Sequence, residues 1–519
     1  MSLPASLTNA FARVAERTPD AVFVEFEGTK VTYREMSDRS TRGAGALVGW
    51  GVRPGDRVAL FMENSPRFIE AYLAVLWTGA VAVPINTRYR FAELAHVVGD
   101  ADVRLVLVDE EGSADHDVSM AAARLGVPVV PLQGEGEGVD AWRNAFGAHD
   151  ATIDVVPRSH GELAVIMYTS GTTGRSRGAM LSHGNFLTNV RAVTGAWGWT
   201  ARDRLLLTLP LFHMHGLGVG LHGTIYQGSS MTLCRAFEEQ AVFDELLAGH
   251  TTMFFGVPTM FGRLLQEARR REETPPPIRL LVSGSAPLGP DLLEDVERVL
   301  GSRILERYGM TESVMNLGNP LKGERRPGSV GLPFDGVAVR IADSTTDELV
   351  VRGRTGEIQL RGPNVFAGYW RDDEATSAAF ARDGWFKTGD LGYVDEDGYH
   401  HLVGRSKELI ISGGFNVYPR EVEEVLERHA SVLEAAVLGV RDADLGERVV
   451  AVVVPRDAGA SADVLIEHCR ARIAGFKRPR HVHFVASLPR NALGKVQKHV
   501  LREQLATERP PIDSQDPPA

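Results

Sequence analysis

The chain has 519 residues, 44% hydrophobic and 24% charged, an ordinary globular composition that excludes disorder or a fibrous repeat for its bulk and suggests about three structural units at ~150 residues each. Lysine and arginine number 56 against 67 acidic residues, a formal charge of −11, so nucleic acid and anionic membrane are repelled at long range and an anionic ligand needs locally arranged donors. The two cysteines, Cys234 and Cys469, show no metal-ligand spacing, which argues against a disulfide framework or a zinc site and fits a reducing cytoplasm.

The first twenty residues, MSLPASLTNAFARVAERTPD, lack the basic start, apolar core and small-residue cleavage site of a secretion signal, so a cytoplasmic location is expected. Helical and β-branched segments then alternate: VTYREMSDRSTRGAGALVGW, RVALFM, FIEAYLAVLWTGA, AVAVPIN, RLVLVD. This is the pattern of parallel sheets covered by helices. The longest apolar stretch, Ala71 to Ile85, is interrupted by Gly79 and Pro84 and is shorter than the ~20 residues a spanning helix needs. It reads as a buried helix running into a strand, and no integral membrane association is expected.

From about Gly356 the texture changes to short strands and turns, a small β-rich subdomain. After Gly404 a compact α+β piece follows: the strand ELIISG, the helix EVEEVLERH, the strands EAAVLGV and VVAVVVP, a helix around Ala462 to Ala474, and the strand HVHFVA. A piece of ~100 residues can hold its own core and move as a body. The Pro- and Asp-rich tail, 507–519, is expected to be disordered. The fold class expected is α/β, with a large N-terminal domain of parallel sheets and helices, a small β-rich subdomain and a mobile α+β C-terminal domain.

The segment Tyr168 to Asn185, YTSGTTGRSRGAMLSHGN, carries the strongest chemistry. Three glycines (Gly171, Gly174, Gly178) and five hydroxyl residues (Thr169, Ser170, Thr172, Thr173, Ser176) follow the apolar run LAVIM. Glycines let backbone N–H groups turn toward phosphate oxygens, and hydroxyls add donors without bulk. No Gly-Lys-Ser/Thr step occurs, so this is not a Walker A loop.

This loop resembles the signature of the adenylate-forming superfamily of acyl-CoA synthetases, luciferases and peptide-synthetase adenylation domains. The family's usual Pro and Lys after TSGTTG are Ser176 and Arg177 here, so the charge is kept but not its point-charge geometry. The resemblance extends over essentially the whole chain, through PLFHMHG, SGSAPL, ERYGMTE, TGD, GRSKE and PRNALGK. It implies a nucleotide site of Thr169 to Gly174, Ser285 and Glu306 to Thr311, with Tyr308 against adenine and Thr311 on phosphate. It also implies Glu312 as the Mg²⁺ ligand and Asp390 and Arg405 at the ribose. Phe212, His213, Met214, Ser283, Met315 and Leu317 would line the acyl pocket, and Gly413, Gly414, Phe415 and Lys477 would meet coenzyme A. The implied domains are 1–403, with the β-rich subdomain at about 325–403, a 404–407 hinge pivoting on Lys407, and a 408–506 lid that carries Lys495 to the reacting centre. Lys495, His213, Glu312 and Arg177 are the implied catalytic residues.

The implied activity is ATP-dependent ligation of a carboxylic acid to coenzyme A through an acyl-adenylate, with ATP, Mg²⁺ and coenzyme A as cofactors and co-substrates and a monomer or homodimer as the working form. Several stretches, among them ERYGMTESVMN and RGPNVFAGYW, look like malonyl-CoA synthetases. A second carboxylate would then need a partner, for which Arg279 is the candidate. Met214 and Leu317 instead favour an aliphatic tail, so a short diacid and a medium or long fatty acid both stand. A catalytically weakened acyl- or nucleotide-binding protein is the reading from a different class.

Overall fold

The computed structural model describes residues 3–109, 112, 114–132, 142, 156–169, 176–286, 288–442, 444–456, 459–491 and 495–507. Ser170 to Arg175, including Gly171, Thr172, Thr173 and Gly174, and the tail beyond Thr507 lie outside these. The chain packs as two units, Met1–Arg340 with Gln359–Thr388 and Asp395–His401, and Ile341–Ile358 with Gly389–Val394 and Leu402–Ala519. The break after His401 falls just before the expected hinge, and two excursions from the β-rich region count with the second unit.

In the first unit, the Leu7–Arg17 helix starts on Ser6, whose Oγ accepts the Asn9 N–H at 3.1 Å. A β1 (Val22–Phe26) and β2 (Thr29–Thr32) hairpin leads into the Tyr33–Gly49 helix, opened by a reciprocal Thr32–Glu35 capping box. Then come β3 (Arg57–Phe61), the Pro66–Trp77 helix, β4 (Val81–Pro84), β5 (Val103–Val108), β6 (Val129–Pro131), β7 (Leu163–Thr169) and β8 (Arg177–Ser182). They form a six-stranded sheet, order β6-β5-β3-β4-β7-β8, parallel except for β8. The Ala71 to Ile85 stretch is the end of a helix and the following strand, buried throughout.

The second sheet adds β9 (Arg204–Leu207), β10 (Ser230–Leu233), β11 (Met253–Gly256), β12 (Leu280–Ser283), β13 (Ile304–Met310), β14 (Val314–Gly318) and β15 (Leu332–Pro333), in the order β15-β14-β13-β12-β11-β9-β10-β1-β2. The strands from β13 through β1 in that order are parallel; β2 pairs antiparallel with β1, β14 with β13 and β15 with β14. Runs such as MFFG and LLVS are buried residue by residue, as expected for strands covered on both faces. Register aligns the carboxyl ends Gly256 and Ser283 with Glu306 of β13, toward the edge where open parallel sheets take their ligands. A small sheet follows: β16 (Ala338–Ala342), β17 (Gly356–Arg361), β18 (Phe386–Val394) and β19 (His400–Arg405).

In the second unit, β20 (Ile410–Ser412) and β21 (Phe415–Val417) are joined by Gly413 and Gly414 alone, at φ +58° and +81°. A two-residue hairpin of that kind needs positive φ at both positions, which is why both are glycine. The Pro419–Glu427 helix, β22 (Val432–Asp442), β23 (Gly446–Pro455), the Ala462–Arg470 helix, β24 (His481–Phe484) and the Lys498–Thr507 helix complete it. Val422, Leu426, Val437, Ala451, Leu465 and Cys469 form its own buried core, the property expected of a piece able to move as a body. No helix among the described residues is long and apolar enough to cross a membrane.

Candidate active site

At the carboxyl edge of the nine-stranded sheet, Ser283 ends β12 and Glu306 lies beside it on β13. Glu306 Oε1 accepts the Leu288 N–H at 3.2 Å, and its carbonyl accepts from Asn319 N at 3.0 Å, so this residue pins the SGSAPL loop. Within that loop Ser285 has φ +69°, a strained backbone of the kind found at ligand clamps. On β13 the ladder breaks between Tyr308 and Gly309. The Val314 carbonyl sits where a Cβ on Gly309 would be, and Val314 itself has φ +57°, an outlier for a β-branched residue. This bulge turns buried Tyr308 and half-buried Met310 and Thr311 away from a regular ladder. Buried Glu312 follows, its Oε1 accepting the Tyr369 hydroxyl at 3.0 Å.

The phosphate-loop candidate is framed by antiparallel β7 and β8, with Thr169 paired to Arg177. Ser176 O bonds His96 Nε2 at 2.7 Å. Arg177 pairs through Nε with Asp372 at 3.1 Å, and its guanidinium lies 5.7 Å from the centre of the Tyr369 ring. Tyr369 therefore serves Arg177 with its ring and Glu312 with its hydroxyl. Tyr369 and Asp372, about 190 residues beyond the loop, were not legible as site residues from sequence. Their GYWRD context carried a signal only as part of a resemblance.

Among the described residues there is no cluster of three or more metal-ligating side chains. A single buried carboxylate fits Mg²⁺ held chiefly by substrate phosphates and water, the usual manner of that ion. The Arg177 pair is 41% and 36% exposed, so it is worth at most about 1 kcal/mol. Arg177→Lys is accordingly expected to change kcat/KM for ATP by less than about fivefold, and a loss beyond tenfold in steady-state kinetics would show a guanidinium-specific role.

On the acyl side, Phe212 and His213 have ring centroids 4.8 Å apart. They precede a π-helix, His215–Leu221, whose glycines face close neighbours. The Met214 sulfur takes the space over Gly218, beside Phe186, so Met214 is packed inward. Met315 lies over Gly309, and Leu317 is fully buried on β14, paired with Tyr308.

Several buried polar atoms have no hydrogen-bond partner among the described residues: both nitrogens of His215, Arg307 Nε and Nη2, Trp197 Nε1, and, on the face of the sheet opposite to Arg307, Ser283 Oγ. Arg307 packs where a Cβ on Gly284 would stand 2.5 Å from its Cζ. His215 and Trp197 share the Phe255 ring, at 5.9 and 5.4 Å. Burial draws the Arg307 guanidinium down to about 9, which leaves it cationic at neutral pH. Burial first, and then the charge of Arg307, hold His215 well below the usual histidine range, so it is neutral. A buried cation with unpaired N–H donors beside a neutral imidazole forms a place suited to an anion. His215 and Trp197 were not legible as site residues from sequence, and Arg307 stood with the nucleotide contacts.

Arg279, the expected partner for a second carboxylate, already has partners of its own away from the site. It precedes β12 at the amino end of the strand, about 13 Å from Ser283 at 3.3 Å per residue. There its Nε pairs with buried Asp203 at 2.8 Å, and Nη1 donates to the Trp197 carbonyl at 2.9 Å. Arg279→Ala is expected to destabilise the fold by about 1–3 kcal/mol, because buried Asp203 loses its cation and keeps only its bonds from Thr200 and Thr252. The ratio of kcat/KM for malonate to that for butyrate should not change. Thermal melting and the two-acid comparison check this.

In the second unit, Arg405 Nε pairs with buried Asp390 Oδ1 at 2.9 Å. Gly389 N donates to Glu357 Oε1 at 2.9 Å and fixes the turn before Asp390. Lys407 is exposed in the 3₁₀ turn Ser406–Glu408. Exposed Phe415, after the Gly413–Gly414 turn, stacks on Phe476 at 4.6 Å. Lys477 is held by Glu421 at 2.6 and 2.8 Å. Lys495 is exposed, its backbone bonded both ways to Asn491.

A family profile of AMP-binding enzymes matches residues 11–370, and a profile of the AMP-binding enzyme C-terminal domain matches 421–495. A feruloyl-CoA synthase from an Amycolatopsis species is 39% identical over 498 residues, covering 95% of this chain and 97% of that protein. A malonate–CoA ligase from Arabidopsis thaliana is 36% identical over 548 aligned positions, with 95% and 88% covered. The crystal structure of ATP-bound MatB from Rhodopseudomonas palustris matches with a TM-score of 0.87 at 41% identity, covering 96% of this chain and 99% of that one.

Proposed function

The chain belongs to the AMP-binding enzymes, as an AMP-forming acid–thiol ligase using ATP, Mg²⁺ and coenzyme A, and from that premise we propose that its acid is malonate or a related short diacid. The observation that carries this reading is the buried Arg307 cation, whose Nε and Nη2 groups are unpaired, beside neutral His215. An unpaired buried charge is costly unless a counter-ion arrives with the ligand. A diacid brings one carboxylate to react and a second to meet Arg307.

In the first half-reaction a carboxylate oxygen bonds to the α-phosphorus as the bond to pyrophosphate breaks; in the second, the thiol sulfur bonds to the acyl carbon and AMP leaves. Tyr308 meets adenine, Asp390 and Arg405 the ribose hydroxyls, and Thr311 with Thr169 to Gly174 the phosphates. Arg177 faces the departing pyrophosphate. Glu312, oriented by the Tyr369 hydroxyl, would hold Mg²⁺, which would neutralise phosphate charge when bound. Phe212 and His213 border the reacting carboxylate. Lys495 compensates the charge that builds at the α-phosphate. The 404–407 hinge, with Lys407 as pivot, carries it in and out, and Gly413, Gly414, Phe415 and Lys477 receive coenzyme A.

Buried, apolar Met315 and Leu317 favour the second reading, an aliphatic or aromatic monoacid, which the feruloyl-CoA relative also suggests. Pyrophosphate release with malonate, succinate, butyrate, octanoate, palmitate and ferulate separates the two. The diacid reading requires kcat/KM for malonate to exceed that for butyrate by at least tenfold. No turnover with any acid would favour a weakened binding protein.

A further inference from the structure

Lys498 opens the Lys498–Thr507 helix three residues beyond Lys495, and only 13% of its side chain is exposed. Its ammonium lies between two carboxylates of the same unit, Glu423 Oε1 at 2.7 Å and Glu408 Oε2 at 3.2 Å. Burial alone would draw this lysine down; the two carboxylates, Glu423 ahead of Glu408, outweigh it and hold its pKa above the ordinary value, so the ammonium stays charged.

The two carboxylates belong to different elements. Glu423 is on the Pro419–Glu427 helix, and the same oxygen accepts the Val437 N–H of β22 at 2.9 Å, which fixes that end to the unit's core. Glu408 closes the Ser406–Glu408 turn next to Lys407. On the other side of Lys498 the Lys495 loop is closed on itself. Asn491 N donates to Lys495 O at 2.9 Å, and Gln497 N donates to Pro489 O at 2.8 Å. Arg490 pairs with Glu434 of β22 at 2.7 Å. One buried cation thus joins the hinge turn, the core and the base of the Lys495 loop, although hinge and loop are nearly ninety residues apart in sequence.

We propose that Lys498 is a positioning residue that, through Glu408 and Glu423, locks the hinge turn to the Lys495 loop so that the two turn as one body. The inference rests on the roles proposed above for Lys495 and the hinge. A compact ammonium with three donors suits a point shared by two carboxylates. Without the Glu408 arm, a rotation at Lys407 would no longer fix where the Lys495 ammonium arrives, and displacements of about 1 Å cost large factors in rate.

The test uses Glu408→Gln in the full-length enzyme, which keeps side-chain size and leaves the Lys498–Glu423 pair intact. Single-turnover adenylate formation, with the best acid of the panel, is measured with Lys495 present and in the Lys495→Ala background. The expected loss is about tenfold in the first and less than twofold in the second, with KM for ATP unchanged, because an absent ammonium cannot be misplaced. Equal losses in both backgrounds, or no loss in the first, overturn the proposal. Lys498→Met should repeat the pattern at a lower melting temperature, since it leaves two carboxylates facing each other; if it does not fold, Glu408→Gln alone decides. Should Lys495→Ala by itself leave adenylation intact, the role of Lys495 falls and this inference with it, an outcome read from the single variant.

Discussion

Replacing Lys495 by alanine is expected to slow adenylate formation by about 10²–10³-fold, the loss typical of one preorganised charge-stabilising donor. Thioester formation from supplied acyl-adenylate and coenzyme A should stay within about threefold of the parent enzyme. The asymmetry follows from where charge develops. Only the attack on the α-phosphate gathers negative charge that an ammonium can offset, and a group stronger in that transition state than in the ground state acts on that step alone. Lys495 is exposed and its loop is held by backbone bonds to Asn491, so alanine should leave the fold intact. Rapid-quench measurement of the two half-reactions gives the comparison, and equal loss in both would refute the role.

The second large effect belongs to Arg307→Met. If a diacid is the substrate, removing the guanidinium leaves the incoming second carboxylate unpaired, at a cost of about 2–5 kcal/mol by analogy with truncated buried charge pairs. At 1.4 kcal/mol per decade that is roughly 30-fold to several thousand-fold in kcat/KM for malonate. Activity with butyrate should be retained or raised. Stability should move the opposite way: in the free enzyme the variant removes a buried cation with unpaired N–H groups, so the melting temperature should rise. An unchanged malonate-to-butyrate ratio would eliminate Arg307 as the selector and favour the monoacid reading.

Periodicity and turn chemistry made most elements legible. The Ala71 to Ile85 stretch, the paired β22 and β23, and the separate core of the second unit follow from patterns a few residues long. What escaped depended on position across strands or on distant pairing. Arg279 adjoins SGSAPL in sequence, but a four-residue strand separates the two ends of a sheet, and the near neighbour in the chain became the far one in space. Arg307 stands beside Tyr308, yet strand alternation sends adjacent side chains to opposite faces, so it keeps company with Gly284 and His215 rather than with its sequence neighbour. Tyr369 meets Arg177 and Glu312 only after the chain has folded back. Lys498 reads as one more solvated charge on a helix until Glu408 and Glu423 close around it.

The glycines of the π-helix have a consequence for redesign. Gly216 is pressed against the Pro210 carbonyl, Gly218 against the Met214 sulfur and Gly220 against Leu207. A larger residue at Gly216 would have to displace backbone, whereas at Gly218 and Gly220 it would meet side chains of the core. A mutant library aimed at new acids should therefore hold these three positions constant and spend its diversity on Leu317, Met315 and Arg307, the buried side chains argued above to meet the acid's tail. Selections that randomise the whole PLFHMHG-to-π-helix segment should return glycine at 216 in nearly every folded clone, whichever acid is chosen.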